Sequence, residues 1–278
     1  MLLLPFASAL VLARTAGWET VPAAIAVVGV FLIREPLVAL WRQARVWKER
    51  RIETQLARRC LCWYVPATAA GAALLLWRRP LWPMLAIGLA ASALTAVSSY
   101  LIVHNRRRSL ALQVLSAAGL NASALVAWLA VRPHLEAGVV WLWALQFAHS
   151  AAALLAVRAR LEALSRERHD RSFPSMTGDA RPQAGTAPVG AARANSDTAG
   201  MKRRAVVAQA ILLVAAAACA GAGRLGPALA LAWSGGVHLA DLARLRSPDF
   251  LQIPLRRVGL RELALSVVFS VLTVAGLW

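Results

Sequence analysis

Three pairs of polar residues stand inside or beside long apolar runs of this sequence, and each is of a kind that handles protons, cations or anions. Arg34 and Glu35 interrupt FLIREPLVALW at residues 31–41, His238 and Asp241 lie in SGGVHLADL, and Arg261 and Glu262 open RELALSVVFS. His238 and Asp241 are three apart, so on a helix they share one face. An imidazole and a carboxylate so placed can relay a proton or offer two ligands to a metal ion. One His and one Asp make only half a metal site, so a hydrogen-bonded pair is expected, with no metal and no other cofactor. Glu262 near a helix start suits the positive end of the helix dipole. Gln146 and His149 have the same spacing, and a single membrane histidine is expected to hydrogen-bond between helices. Arg106, Arg107 and Arg108, which follow His104-Asn105, together with Arg256 and Arg257, are candidate contacts for phosphate or anionic lipid headgroups.

These groups are costly at membrane depth, and the elements that carry them are membrane-like. The chain has 278 residues, 59% of them hydrophobic, with a mean hydropathy of +0.57. Its net charge of +18 would suit a nucleic-acid partner if the cations formed a basic face with interleaved aromatics. They lie instead between apolar runs, so no nucleic-acid partner is expected. Cys60, Cys62 and Cys219 are too few for a disulfide framework and lack the ligand pairs of a structural zinc site. No nucleophile elbow, Walker loop, HExxH or dinucleotide fingerprint occurs, so an enzyme is the less favoured class.

Nine apolar segments can be marked, at residues 1–13, 18–41, 60–77, 81–103, 109–131, 137–157, 205–223, 225–243 and 259–278. Most approach the roughly 20 residues that cross about 30 Å of hydrocarbon as a helix. The reading is an all-α polytopic bundle of eight or nine spans, forming one membrane domain. Helices 1 to 6 occupy residues 1–161, a disordered basic cytoplasmic linker residues 162–204, and helices 7 to 9 residues 205–278. The first segment is short and lacks a basic stretch before it, so it is not expected to be a cleaved signal peptide.

Of the 31 Lys and Arg residues, 24 fall in the second, fourth, sixth and eighth connections and 5 in the other four. Cations concentrate on the cytoplasmic side of membrane proteins. A bacterial inner-membrane location with the N-terminus cytoplasmic and the C-terminus outside is therefore expected. Trp18, Trp41, Trp63, Trp77, Trp82 and Trp278 lie near segment ends, as an interfacial belt requires. Arg34 would then lie eight residues, about 12 Å, from the cytoplasmic end of helix two, with a kink or restart at Pro36. Arg34, Glu35, His238, Asp241 and Glu262 are expected to face one cavity open to the cytoplasm. That arrangement suits a transporter or a lipid-handling protein. The alternative is an intramembrane transferase that holds a diphosphate with Arg106–Arg108 and Arg256 or Arg257.

Three stretches carry a family resemblance: REPL at Arg34–Leu37, RRRSLALQVLSAAGL at Arg106–Leu120 and RRVGLRELALSVVFS at Arg256–Ser270. Together they resemble the YwiC-like family of bacterial polytopic membrane proteins, over most of the chain outside the linker. The resemblance implies an inner-membrane protein without an assigned activity. It also implies a His-Gly-Ala-Trp element just before a first helix resembling MLLLPFASALVLA. Here Met1 stands directly after the expected place of that element, so a start downstream of the true one is expected. The nine-helix topology is also similar to that of the UbiA-type intramembrane prenyltransferases. Their Asp-rich magnesium motifs have no counterpart here, since helix two ends in WRQARVWKER and helix six in VRARLEAL.

Overall fold

The computed structural model describes residues 3–44, 52–78, 81–103, 110–172, 189–245 and 247–278. Among the described residues the chain is helical and contains no strand. The helices are α1 (Leu3–Ala13), α2 (Thr20–Arg42), α3 (Ile52–Arg78), α4 (Leu81–Val103), α5 (Leu110–Asn121), α6 (Ser123–Val131), α7 (Ala137–Ser172), α8 (Val189–Gly221), α9 (Leu225–Arg244), α10 (Pro248–Leu251) and α11 (Leu255–Leu277). Among the described residues seven stretches are long and apolar enough to cross a membrane: α2, α3, α11, Trp82–Ile102, Leu110–Val131, Ala137–Glu167 and Gly200–Gly221. The protein is therefore a multi-pass helical membrane protein. The expected nine differ from these seven by α1, whose 11 residues span only about 16 Å, and by α9, which carries His238 and Asp241.

Three local expectations need revision. First, α2 runs unbroken through Pro36, with no restart there. Neighbouring helices can stabilise a proline inside a membrane helix, and α2 is closely packed on α3. Second, the fifth expected segment is two helices. Asn121 donates back to the Ala117 carbonyl at 2.8 Å and Ser123 to the Leu120 carbonyl at 2.7 Å, and such bonds compete with the helix ladder and bend it. Third, helix continues past both expected linker boundaries, to Ser172 at one side and from Val189 at the other.

The chain divides into two compact units, one of residues 1–147 and 273–278, the other of residues 148–272. In the first, α1 packs on α6 through Phe6, Ala9, Ala127 and Trp128. Arg132 donates to the Ala13 carbonyl at 3.1 Å, satisfying an orphan acceptor at the end of α1. The contact of α2 with α3 depends on two glycines. A Cβ at Gly29 would collide with the Thr68 hydroxyl, and one at Gly71 would fall 2.8 Å from the Pro22 carbonyl oxygen. Small residues permit this approach in lipid, where packing drives association. The α2 and α4 C-termini lie together, with Val38 against Ile102 and Arg42 donating to the Ile102 carbonyl at 3.5 Å.

In the second unit α8 turns into α9 through Gly223, at φ +73°. Arg224 donates to the Cys219 carbonyl and Gly223 to the Ala220 carbonyl, both at 2.9 Å. This is the Schellman ending, in which a left-handed glycine stops the helix. Gly235 on α9 then faces Leu213 and the Gln209 carbonyl of α8, while nothing approaches Gly236. The core joins Ala159 of α7, Met201 and Ala205 of α8, Leu242 and Leu245 at the end of α9, and Phe250 of α10.

Candidate functional site

Among the described residues the buried titratable side chains, His149, Arg160, His238 and Glu262, all belong to the second unit. His238 on α9 is 0% exposed and Glu262 on α11 is 8% exposed. His238 Nε2 lies 3.6 Å from Glu262 Oε2, beyond hydrogen-bond length. Both ring nitrogens of His238 and Oε2 of Glu262 are buried without a hydrogen-bond partner. Each such orphan costs about 1–3 kcal/mol relative to a satisfied group, so the site is unfinished by its own side chains. Asp241, one turn along α9, completes the group: one ligand atom from each of His238, Asp241 and Glu262 lies within 4.8 Å of the others. Asp241 also accepts from Arg261, whose Nη1 stands 2.9 Å from Oδ1 and 2.8 Å from Oδ2.

Around this group is a shell of small polar residues. His149 on α7 is held at both ring nitrogens, with Nδ1 2.7 Å from the Ser234 hydroxyl of α9 and Nε2 3.2 Å from the Ser266 hydroxyl of α11. Its ring stacks on Phe269 at 4.3 Å and stands 6.3 Å from the ring of His238. His149 is thus an interhelical hydrogen bonder, in keeping with its spacing in the sequence. Gln209 on α8, 0% exposed, donates to the Ala152 carbonyl at 2.9 Å. Arg160, counted above as a connection charge, is buried in α7. It donates to the carbonyls of Phe250 at 2.7 Å and Ile253 at 3.2 Å and lies over the Phe250 ring.

Sequence spacing paired His238 with Asp241 but assigned each a hydrogen-bonding role. The structure instead gives Asp241 to Arg261 and brings Glu262 to His238. Ser234, Ser266 and Arg160 were not singled out. Nothing in their local sequence separates them from ordinary helix serines or from the neighbouring Arg158, which forms a half-buried pair with Glu162 at 3.4 Å.

Arg34 and Glu35 belong to α2 of the first unit. Glu35 is exposed, and no ion pair joins the two among the described residues. Arg34 lines a cavity of about 450 Å³, with its Nε buried and without a hydrogen-bond partner. Apolar side chains of α2 to α6 form most of the wall, among them Val30, Leu94, Leu112 and Val126, with the hydroxyls of Thr95 and Ser98 on α4. Lining residues run along α4 from Met84 to Leu101, which is roughly 25 Å at 1.5 Å per residue. Arg256 and Arg257 are exposed at the start of α11. His104, Asn105 and Arg106–Arg108 lie outside the described residues.

The family model of YwiC-like proteins matches residues 1–130. The match takes in the REPL element and the Arg106–Leu120 stretch and ends before the second unit, so the closing Arg256–Ser270 likeness falls outside it. None of the curated proteins and none of the solved structures matches the chain.

Proposed function

We propose that this multi-pass membrane protein, YwiC-like over residues 1–130, handles an anionic amphiphile, whose apolar part lies along α4 and whose charged head meets Arg34. The observation that carries the reading is an unpartnered arginine nitrogen in the wall of an otherwise apolar cavity. A half-buried guanidinium with no counterion facing an apolar wall is unfavourable, and an anionic head would relieve it. The cavity volume lies in the range of about 300–1,000 Å³ usual for small-molecule sites. The elongated, mostly aliphatic wall suits a chain better than a compact polar solute. Such a protein would sit in a bacterial cytoplasmic membrane, its N-terminus cytoplasmic, with Arg34 in the cytoplasmic half of the bilayer and the basic connections near anionic headgroups.

The reading is tested by native mass spectrometry of the detergent-purified protein. Wild type is expected to retain one anionic lipid or fatty acid. Gly119→Trp, which fills the cavity, should lose it, and Arg34→Gln should weaken retention about tenfold, the equivalent of about 1.4 kcal/mol. Equal retention by all three proteins would remove the cavity from consideration.

A further inference from the structure

We propose that His238, Asp241 and Glu262 bind a single divalent transition-metal ion, with zinc the best fit. The site lies wholly in the second unit and shares no residue with the amphiphile cavity, so either can fail without the other. His238 and Asp241 project from one face of α9 and Glu262 comes from α11, with one ligand atom of each inside a 4.8 Å circle of mutual distances. Such a cluster alone proves little. What points to a ligand is His238, fully buried with neither ring nitrogen satisfied, opposite a Glu262 oxygen in the same condition.

Their spacing suits a shared ion, on which the three ligand atoms, within 4.8 Å of one another, would draw together. At 3.6 Å His238 Nε2 and Glu262 Oε2 are too far apart to hydrogen-bond. Two ligands of one tetrahedral ion, each bonded at about 2.0–2.1 Å, stand roughly 3.4 Å apart. One imidazole with two carboxylates is a set suited to zinc or a first-row neighbour; magnesium and calcium prefer oxygen alone, and Cu(I) prefers sulfur. Asp241 can serve while keeping Arg261, because an ionised carboxylate has about four acceptor sites. Arg261 then acts as a positioning residue, its guanidinium bonded to the Asp241 carboxylate and fixing how that carboxylate turns toward the ion. Three protein ligands leave a fourth position for water or an incoming anion, the pattern of working zinc sites as opposed to closed structural ones.

The test uses full-length protein, tag removed, stripped with chelator in detergent and titrated with Co²⁺, whose visible absorption reports tetrahedral coordination. One Co²⁺ per chain is expected, displaced by Zn²⁺. His238→Ala and Glu262→Gln should each weaken binding at least about 100-fold, and Arg261→Gln, which only frees the Asp241 carboxylate to turn, about 10-fold. Arg158→Gln, a half-buried residue of α7 paired with Glu162, should leave binding unchanged. Gel filtration checks that each variant is folded. If His238→Ala is not, the near-isosteric Glu262→Gln and the wild-type spectrum decide. Folded wild type without a Co²⁺ band, binding of Mg²⁺ alone, or undiminished binding by Glu262→Gln would each overturn the site.

Discussion

The two units leave polar groups unpartnered in different settings. In the first, one arginine nitrogen lines an apolar space and binds nothing of the protein. In the second, arginine, glutamine, histidine and serine side chains tie helices to one another, and His238 and Glu262 face each other with both imidazole nitrogens and one carboxylate oxygen unpartnered. A polar side chain that closes its bonds within the protein holds structure together. One that does not is available for a ligand. The difference can be measured, because the two kinds should respond oppositely to substitution.

The sharpest contrast is between two arginines. Arg160→Leu removes two charge-assisted bonds to backbone carbonyls and leaves those carbonyls buried, so the second unit should lose about 3 kcal/mol or more. Arg34→Leu should change stability by less than about 0.5 kcal/mol, since no protein bond is lost. Equal destabilisation in detergent unfolding would break the comparison. Next in size, Gly71→Val drives a side chain toward the Pro22 carbonyl and should cost about 1–3 kcal/mol, read as an earlier loss of α2 and α3 protection in hydrogen exchange. His149→Phe keeps the stacking on Phe269 but orphans the Ser234 hydroxyl, at about 1–2 kcal/mol; a melting temperature equal to that of wild type would show that the hydrogen bonds of His149 contribute nothing. The smallest effects separate adjacent glycines. Gly236→Ala meets open space and should stabilise α9 by up to about 1 kcal/mol. Gly235→Ala, pressed on Leu213, should gain less.

Most of the fold was legible because apolar length is a local property. Segments expected at residues 18–41, 81–103 and 225–243 appear as α2, α4 and α9 within a few residues. The break at Ala122 was less visible, because Asn121 and Ser123 read equally well as interior polar residues or as helix-bending ones. The site was legible only in part. Spacing along a helix put His238 and Asp241 on one face, and Glu262 was named beside them. Its approach to His238 depends on how α9 and α11 pack, which no local pattern encodes. Arg160 shows the limit best. It sits two residues from Arg158, with the same charge and the same flanking alanine. Only carbonyls some 90 residues further along the chain, at Phe250 and Ile253, distinguish it.

The modest apolarity of α9 has a consequence for how the chain reaches its native state. A 20-residue helix holding a histidine, an aspartate and two adjacent glycines is a poor candidate to enter lipid alone, since ionisable side chains are costly at membrane depth. The tight glycine turn joins α9 to the strongly apolar α8, and the pair would insert together as a hairpin. His238 and Asp241 would thus cross the headgroup region under escort and meet Glu262 only when α11 follows. Biogenesis of the second unit would then be sensitive to the length of the α8–α9 turn, and a few residues added at Gly223 should strand α9 outside the bilayer.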